Sequence, residues 1–262
     1  MLCDFVPIVR EVEIGRDKRI YPVADLHYGA RNFCEKEWAL FVDKIKNDDD
    51  ALVVVAGDMM NNALKLSKSN VYEDVCRPSE QKAWLVEALK PIKHKILCGC
   101  TGNHEHRSVK EVDDNPLFDV FCKLDIEDRF RENGCFCIVR FITDENGNKL
   151  KRQCKELNPS YSLFVTHGGS LNKLKNFSVT LEGIDLVFAG HLHNADALPK
   201  ARLVLDPQNN KVITKPYNVV ITPSWLEYGG YALRDLYQPN ARPEVCVTLS
   251  SYKKKVTVSQ ST

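Results

Sequence analysis

Short apolar runs alternate with amphipathic stretches along the first part of the chain, and polar residues follow each run. The apolar runs predict buried strands at residues 19–23, 51–56 and 95–98. Between them, apolar residues at helical spacing predict helices at residues 34–45 and 80–89. Strands that alternate with helices predict an α/β sheet with crossover connections.

The second half of the chain changes from this alternation to longer strand patterns. We first predict a helix at 116–124 and then a hairpin, in which the strand 135–143 is joined by the turn 144–147 to a following basic strand. A strand at 161–166, a helix at 171–181 and a strand at 184–189 follow. From residue 202 onward we predict antiparallel strands with a turn at 207–210. The sequence contains no internal repeat and no low-complexity linker. We therefore predict a single domain over residues 1–262.

Composition gives few constraints on function. The 262 residues are 44% hydrophobic and 27% charged, with a formal net charge of +1. This balance gives no global attraction to nucleic acid, although a local basic groove is compatible with it. No apolar stretch approaches the roughly 20 residues that span a bilayer, so we expect no membrane association.

The ten cysteines would suggest disulfides in a short secreted protein. Here the sequence opens without the pattern of a signal peptide, so we expect reduced core thiols in a cytoplasmic protein. The pairs Cys98-x-Cys100 and Cys135-x-Cys137 have the alternation of strands, not the C-x-x-C spacing of a zinc knuckle or redox motif.

Polar residues with metal-binding or proton-transfer chemistry follow five of the predicted strands. In chain order, they read D-x-H, G-D, G-N-H-E, H-G-G and G-H-x-H. A simple turn needs only Gly and Asn, yet five of the seven histidines lie in these motifs: His27, His104, His167, His191 and His193. Because ligands of α/β sheets gather at the carboxyl ends of strands, the motifs predict one shared site.

The residue types at these strand ends suggest two metal ions. Six residues divide into two sets of oxygen and imidazole ligands, each suited to one cation: Asp25, His27 and His193, and Asn103, His167 and His191. Asp58 is the natural bridge, because one carboxylate serves both ions. His and Asp suit Mn, Fe or Zn better than Ca or Mg, and two such ions form the usual clamp for in-line displacement at phosphorus.

The ordered motifs resemble those of the calcineurin-like metallophosphoesterase superfamily. The resemblance covers residues 20–193 and rests on Asp25-x-His27, Gly57-Asp58, Gly102-Asn103-His104-Glu105, His167 and Gly190-His191-x-His193. It implies a four-layer α/β/β/α sandwich, with two mixed β-sheets flanked by helices. It also implies a dinuclear site with the ligands assigned above, and attack on phosphorus by a hydroxide that bridges the metals.

The resemblance also gives roles to residues around the ligands. His104 is expected to lie beside the substrate and to protonate the leaving oxygen or stabilise its charge. Gly102 is expected to allow a tight turn, and Glu105 either supports that turn or takes part in catalysis. Arg107 and Arg31 are candidates for phosphate contacts, with an ordinary surface role as the alternative.

The substrate class is less sharply defined. Ser/Thr protein phosphatases of the superfamily carry G-D-x-x-D-R-G, whereas Asn61 and Asn62 replace the Asp and Arg here. The G-N-H-E motif also differs from the G-N-H-D of the repair-nuclease branch.

We expect a phosphodiesterase, with nucleic acid among its candidate substrates. The alternatives are a phosphomonoesterase for small molecules or proteins and a scaffold without activity, which no missing ligand supports. The lysines at 173, 175 and 253–255 are candidates for contacts to a phosphate backbone. The alternative is that they belong to an ordinary solvated surface.

Overall fold

The computed structural model describes residues 3–65, 67, 71–149, 158–234, 236, 238–239 and 242–261. The strands are β1 Ile8–Glu13, β2 Lys18–Val23, β3 Ala51–Val55, β4 Ile96–Cys100, β5 Phe130–Arg131, β6 Cys135–Thr143, β7 Ser160–Thr166, β8 Leu186–Ala189, β9 Asp196–Asp206, β10 Lys211–Ile221, β11 Glu244–Leu249 and β12 Val256–Ser261. The helices are α1 Glu35–Asn47, α2 Pro78–Leu89, α3 Glu105–Val112, α4 Pro116–Lys123, α5 Leu171–Thr180 and α6 Tyr231–Arg234.

The strands form two mixed sheets of six. The first has the order β1-β6-β7-β8-β10-β9 and the second the order β12-β11-β2-β3-β4-β5. In the second sheet, β2, β3, β4 and β5 run parallel. In the first sheet, β7, β8 and β10 run parallel, so their carboxyl ends share one edge.

The two sheets pack face to face, and helices cover their outer faces. One apolar cluster joins residues of both sheets, such as Val54 of β3 and Phe188 of β8. A second cluster joins the second sheet to α1, α2 and α4, where Trp38 and Leu85 are buried, and a third joins the first sheet to α5 through Leu174. The expected four-layer α/β/β/α sandwich is therefore confirmed.

Several predicted boundaries differ from the observed ones. The strand at 135–143 exists, but β6 pairs with β7 in antiparallel register. The basic strand expected after the turn 144–147 lies mostly outside the described residues, which include its first positions only as far as Lys149. The turn at 207–210 joins β9 and β10, although β9 begins earlier than expected, at Asp196. In the described part of the chain, no helix is long and apolar enough to cross a bilayer.

The end of α1 is closed by a lysine from a distant part of the chain. Lys95 Nζ donates hydrogen bonds to the carbonyl oxygens of Ile45 at 2.7 Å, Lys46 at 3.2 Å and Asp48 at 2.6 Å. The side chain is 6% exposed. It supplies a further donor to carbonyls at the helix end, where Ile45 also accepts from the N–H of Asp48 and Asp48 from that of Ala51. It also places a positive charge at the negative end of the helix dipole.

Lys95→Met is expected to destabilise the fold by about 1–3 kcal/mol, because the carbonyls at the end of α1 lose their hydrogen bonds from a charged donor. Urea unfolding followed by circular dichroism measures this change. Lys90→Met is the control: Lys90 forms only an exposed ion pair with Glu87, whose loss costs about 0.5 kcal/mol or less. Equal stability of the two variants would contradict this account of the helix end.

Candidate metal centre

The polar strand ends meet at one edge of the sandwich. Asp25 and His27 follow β2, Asp58 follows β3, and Asn103 and His104 follow β4 in the second sheet. His167 follows β7, and His191 and His193 follow β8 in the first sheet. All seven residues predicted as metal ligands are thus brought together from five loops, and all but Asn103, His191 and His193 are buried.

Five of these residues have an uncommon backbone conformation. Their φ angles are positive: Asp25 53°, His27 48°, Asp58 52°, His191 68° and His193 56°. The left-handed region costs residues with a Cβ roughly 1–2 kcal/mol each. Such strain persists only when the surrounding structure holds it, and it concentrates at functional sites.

The first group of candidate ligands joins the two sheets. His193 Nε2 lies 3.1 Å from Asp25 Oδ1 and 3.2 Å from His27 Nε2. His27 Nε2 lies 3.7 Å from Asp25 Oδ1. The other oxygen of Asp25 accepts a hydrogen bond from the backbone N–H of His191 at 2.8 Å. This bond fixes the loop after β8 against the loop after β2.

The second group of candidate ligands lies beside the first. Asn103 Oδ1 is 2.9 Å from His167 Nε2 and 2.8 Å from His191 Nδ1, and the two nitrogens are 3.3 Å apart. His167 Nδ1 donates to the carbonyl of Ala56 at 2.8 Å. That bond leaves Nε2 of His167 as the nitrogen that faces the group.

Asp58 lies between the two groups. Its Oδ2 is 3.2 Å from His167 Nε2 and 3.9 Å from His27 Nε2. Its Oδ1 accepts a hydrogen bond from the backbone N–H of His104 at 2.7 Å. One oxygen is therefore held by the protein, while the other faces both ligand groups.

The spacing of these atoms fits metal coordination. Two ligand atoms on one ion at about 2.1 Å lie roughly 3.0–3.4 Å apart at octahedral or tetrahedral angles. The distances within the two groups are 2.8–3.3 Å, except for the 3.7 Å between His27 Nε2 and Asp25 Oδ1. Asp25 Oδ1 is buried without a well-directed hydrogen bond, although His193 is near. A buried charged oxygen without a donor is costly, and a cation would satisfy it.

The carboxylates and imidazoles of the site stabilise one another's charged forms. Burial alone would raise the pKa of Asp58, but His167 outweighs it and holds the pKa well below its usual value. Burial likewise opposes the charge of His167, yet Asp58 raises the pKa of that imidazole to about 10. In Asp25, the effect of burial is outweighed by His193 and His27, so its pKa is also far below the usual range. Both carboxylates are ionised at neutral pH.

His104 differs from the histidines of the two groups. Burial and the neighbouring His27 lower its pKa to about 3. Its Nδ1 lies 2.7 Å from the carbonyl oxygen of Asn61, and its Nε2 lies 3.8 Å from Asp58 Oδ2. The ring is therefore neutral in the metal-free protein, with Nε2 turned toward the ligand groups.

Glu105 connects two of the loops that carry ligands. Its carboxylate is fully buried and accepts backbone hydrogen bonds from Asp58, Met60 and Gly102, each at 3.0 Å. Burial and the nearby Asp58 raise its pKa to about 7. The sequence analysis left its role open; in the structure all three contacts are to the backbone.

Gly102 is needed for close approach. A Cβ at this position would lie 2.1 Å from both the backbone nitrogen and Oδ1 of Asp58. Its φ is not positive, so the reason for glycine here differs from the tight turn expected from the sequence. Gly190 acts similarly, since a Cβ there would lie 2.9 Å from Asp25 Oδ2.

The two arginines considered for substrate binding contact protein carbonyls. Arg31 is exposed and donates to the carbonyls of Tyr72 and Glu73, both at 3.2 Å. Arg107 is partly buried and donates through one nitrogen to the carbonyls of Asn61 at 3.1 Å and Asn62 at 3.4 Å. Both assignments to substrate stay predictions.

Glu105→Gln is expected to weaken metal binding by roughly 10- to 100-fold. The amide NH₂ group would face a backbone N–H, most directly that of Met60, and loosen the loops that hold Asp58 and Asn103. The buried unpaired donor should also cost about 1–3 kcal/mol of folding free energy. Titration calorimetry with Mn²⁺ or Zn²⁺ measures the affinity.

The matched control for this prediction is Glu111→Gln, which makes the same change on the exposed part of α3. That variant should bind metal as the parent does. If Glu105→Gln also kept the parent's affinity, the clamp formed by Glu105 would not be needed for the site.

Comparison with known proteins adds a family match. The model of a family described as calcineurin-like phosphoesterase matches residues 18–195, which is more than half of the chain. No curated protein matches the sequence.

Solved structures of low sequence identity also align with the fold. Vps29 of Entamoeba histolytica, complexed with zinc, is 10% identical with a TM-score of 0.40, covering 92% of this chain and 97% of its own. A metallophosphoesterase of Sphaerobacter thermophilus is 12% identical with a TM-score of 0.40, covering 93% and 88%. The nuclease MPE of Pseudomonas putida is 16% identical with a TM-score of 0.36, covering 92% and 87%.

Proposed function

The chain belongs to the calcineurin-like phosphoesterase family, and we propose that it is a phosphodiesterase that works with two divalent cations, Mn, Fe or Zn. The observation that carries this proposal is the pair of ligand groups that share Asp58. In the first group Asp25, His27 and His193 would hold one ion. In the second, Asn103, His167 and His191 would hold the other.

The donor set determines what the cations would contribute. When bound, they supply Lewis-acid chemistry, which polarises the ester and lowers the pKa of water. No described cysteine belongs to these groups, and imidazole with carboxylate suits Mn, Fe or Zn. The protein's own contribution is to fix the ligands: Asp25 and Asp58 each give one oxygen to a backbone N–H, which orients the other toward the site.

We assign the leaving-group role to His104. Its Nδ1 is engaged with the Asn61 carbonyl, so Nε2 is the nitrogen available to the substrate. To donate a proton, Nε2 must first be protonated, and an incoming anionic ester would favour that state, because opposite charges raise the pKa of an imidazole. Asp58 Oδ2 at 3.8 Å acts in the same direction.

Among the described residues, the three positions considered for phosphate contact are engaged with the protein itself, which favours a diester over a monoester. A phosphomonoester carries roughly 1.5 to 2 negative charges at neutral pH, whereas a diester carries one. Asn62, which replaces the Arg of the protein phosphatases, donates its amide to the carbonyl of His104 at 2.8 Å and to Ser108 Oγ at 3.0 Å. Arg31 and Arg107 each donate to backbone carbonyls. Less negative charge on the substrate matches this environment.

Nucleic acid is a candidate diester, but one basic run lies far from the site. Residues 253–255 form the turn between β11 and β12, and Leu249 at the end of β11 pairs with Lys18 at the start of β2. This turn is at the opposite end of the sheet from the ligands, and Lys254 there pairs with Asp185 at 2.9 Å. Lys173 is exposed in the first turn of α5, the helix that follows the loop of His167.

The proposed activity is tested with two matched substrates. The protein loaded with Mn²⁺ should hydrolyse bis-p-nitrophenyl phosphate faster than p-nitrophenyl phosphate. EDTA should abolish the reaction, and excess Mn²⁺ should restore it. Faster hydrolysis of the monoester would support a phosphomonoesterase instead, and turnover that survives EDTA would contradict a metal-dependent mechanism.

We also propose that the protein works in a reducing compartment, the cytoplasm. Eight cysteines of the described residues are free thiols, and five of them are buried: Cys34, Cys98, Cys100, Cys135 and Cys137. Such thiols serve as small apolar core residues. Mass measurement after alkylation in denaturant without reductant should find all ten cysteines alkylated; several intact disulfides would contradict the assignment.

A further inference from the structure

The orientation of His104 depends on a backbone carbonyl. Its Nδ1 lies 2.7 Å from the carbonyl oxygen of Asn61. A carbonyl can only accept, so Nδ1 carries the hydrogen and donates it. This single bond sets both the tautomer and the rotation of the ring, and it directs Nε2 toward Asp58.

The Asn61 peptide is itself held from several sides. Its N–H donates to the carbonyl of Tyr28 at 2.9 Å, and its side-chain Nδ2 donates to Asp74 Oδ1 at 2.5 Å. Its carbonyl also accepts from Arg107 at 3.1 Å. The Asn61 side chain thus has a charged partner in the carboxylate of Asp74, and hydrogen bonds to charged groups are stronger than neutral ones.

Asp74 is fixed in turn by a buried glutamine of α2. Its Oδ2 accepts from Gln81 Nε2 at 2.9 Å and from the backbone N–H of Ala63 at 3.4 Å. Gln81 is fully buried, and its Oε1 accepts from the backbone N–H of Asn62 at 2.9 Å. A continuous path of hydrogen bonds thus runs from α2 through Asp74 and Asn61 to the His104 ring.

We propose that Asp74 is a positioning residue that acts through Asn61 to fix the tautomer and ring orientation of His104. The consequence for catalysis rests on the proposed function, in which His104 serves the leaving group. Asp74 lies between β3 and α2, outside the strand-end motifs, and its carboxylate holds the side chain of the residue whose carbonyl meets His104. The path also accounts for the asparagine at position 61, whose side-chain amide donates to Asp74.

Asp74→Ala is expected to impair catalysis only where the leaving group needs help. With diphenyl phosphate, whose leaving phenolate is basic, kcat should fall roughly 10- to 100-fold. With bis-p-nitrophenyl phosphate, whose leaving group is a weaker base, kcat should change little. KM and metal content should match the parent. Glu87→Gln on the exposed face of α2 is the control for the loss of a carboxylate and should change neither rate.

A donor–acceptor exchange separates positioning from general damage. Asn61→Asp alone sets two carboxylates against each other, and Asp74→Asn alone sets an amide N–H against either Asn61 or Gln81. In the double variant, the new amide at position 74 donates to the new carboxylate at position 61, and its oxygen still accepts from Gln81. Both single changes should lower kcat on diphenyl phosphate, and the double variant should recover most of it.

Imidazole ¹⁵N spectra of the metal-free protein test the positioning without turnover, so they remain informative even if the parent hydrolyses neither diester. The signals that are lost in His104→Ala identify His104, which should show one tautomer with hydrogen on Nδ1. Asp74→Ala should shift these signals toward the average of two tautomers. An unchanged His104 tautomer in Asp74→Ala, equal rate losses on both diesters, or no recovery in the double variant would overturn the proposal.

Discussion

Asp58→Asn is expected to bind at least one cation fewer than the parent and to lose at least about 10³-fold in kcat, since a lost metal removes several kcal/mol of transition-state stabilisation. The amide oxygen can replace Oδ1 and keep the hydrogen bond from the His104 backbone N–H. The NH₂ group then takes the position of Oδ2, facing His167 and His27. The fold is therefore retained, while the side chain that the two groups share can no longer act as an anionic ligand.

Metal content and thermal stability measure this change independently of activity. The parent should bind about two Mn²⁺ or Zn²⁺ ions per chain, and its melting temperature should rise with metal concentration. Asp128→Asn, at an exposed carboxylate between α4 and β5, should behave as the parent does. Equal metal content in Asp58→Asn and the parent would refute the shared-ligand arrangement.

The parts of the fold that follow apolar periodicity could be predicted from the sequence. The strands β3, β4 and β8 are buried on both faces and form continuous runs without charged residues, and β2 and β7 contain such runs at residues 20–23 and 163–165. The helices α1, α2 and α5 each present a buried apolar side to a sheet. Their predicted ends lie within a few residues of the observed ones.

Elements without an apolar stripe could not be predicted. In α3 the buried residues are Glu105 and Ser108, which are polar and face the loop after β3. β1 is an edge strand in which only Ile8 is buried, so charged residues interrupt its pattern. In both cases, tertiary contacts decide the structure, and local periodicity does not record them.

The candidate site shows the same division. The motifs gave the residue types and their order along the chain, and the parallel strands bring them to one edge. The left-handed conformations of Asp25, His27 and Asp58 carry no signal in the sequence beyond the tolerance of Asp and His for such angles. The role of the Asn61 carbonyl was equally hidden, because a backbone group does not depend on residue type and its anchor, Asp74, is distant in sequence.

His104→Ala is expected to keep the metal content of the parent while kcat on diphenyl phosphate falls by roughly 10² to 10⁴, the range for lost general acid catalysis. The imidazole contacts the Asn61 carbonyl and approaches Asp58 only through Nε2 at 3.8 Å, whereas the His104 backbone N–H, which holds Asp58, is retained in the variant. The loss should be much smaller with bis-p-nitrophenyl phosphate, because a nitrophenolate leaves without protonation.

Two comparisons make this result specific to the leaving-group role. His106→Ala removes a histidine from the first turn of α3 that lies 3.9 Å from Glu132, and it should leave both rates unchanged. His193→Ala removes a proposed ligand, so it should lose metal and activity together on both diesters. If His104→Ala instead lost metal, it would be a ligand; if it slowed both diesters equally, it would act before the leaving group departs. Only an unequal loss at full metal content agrees with a side chain whose Nδ1 is committed to Asn61 and whose Nε2 is free for the departing oxygen.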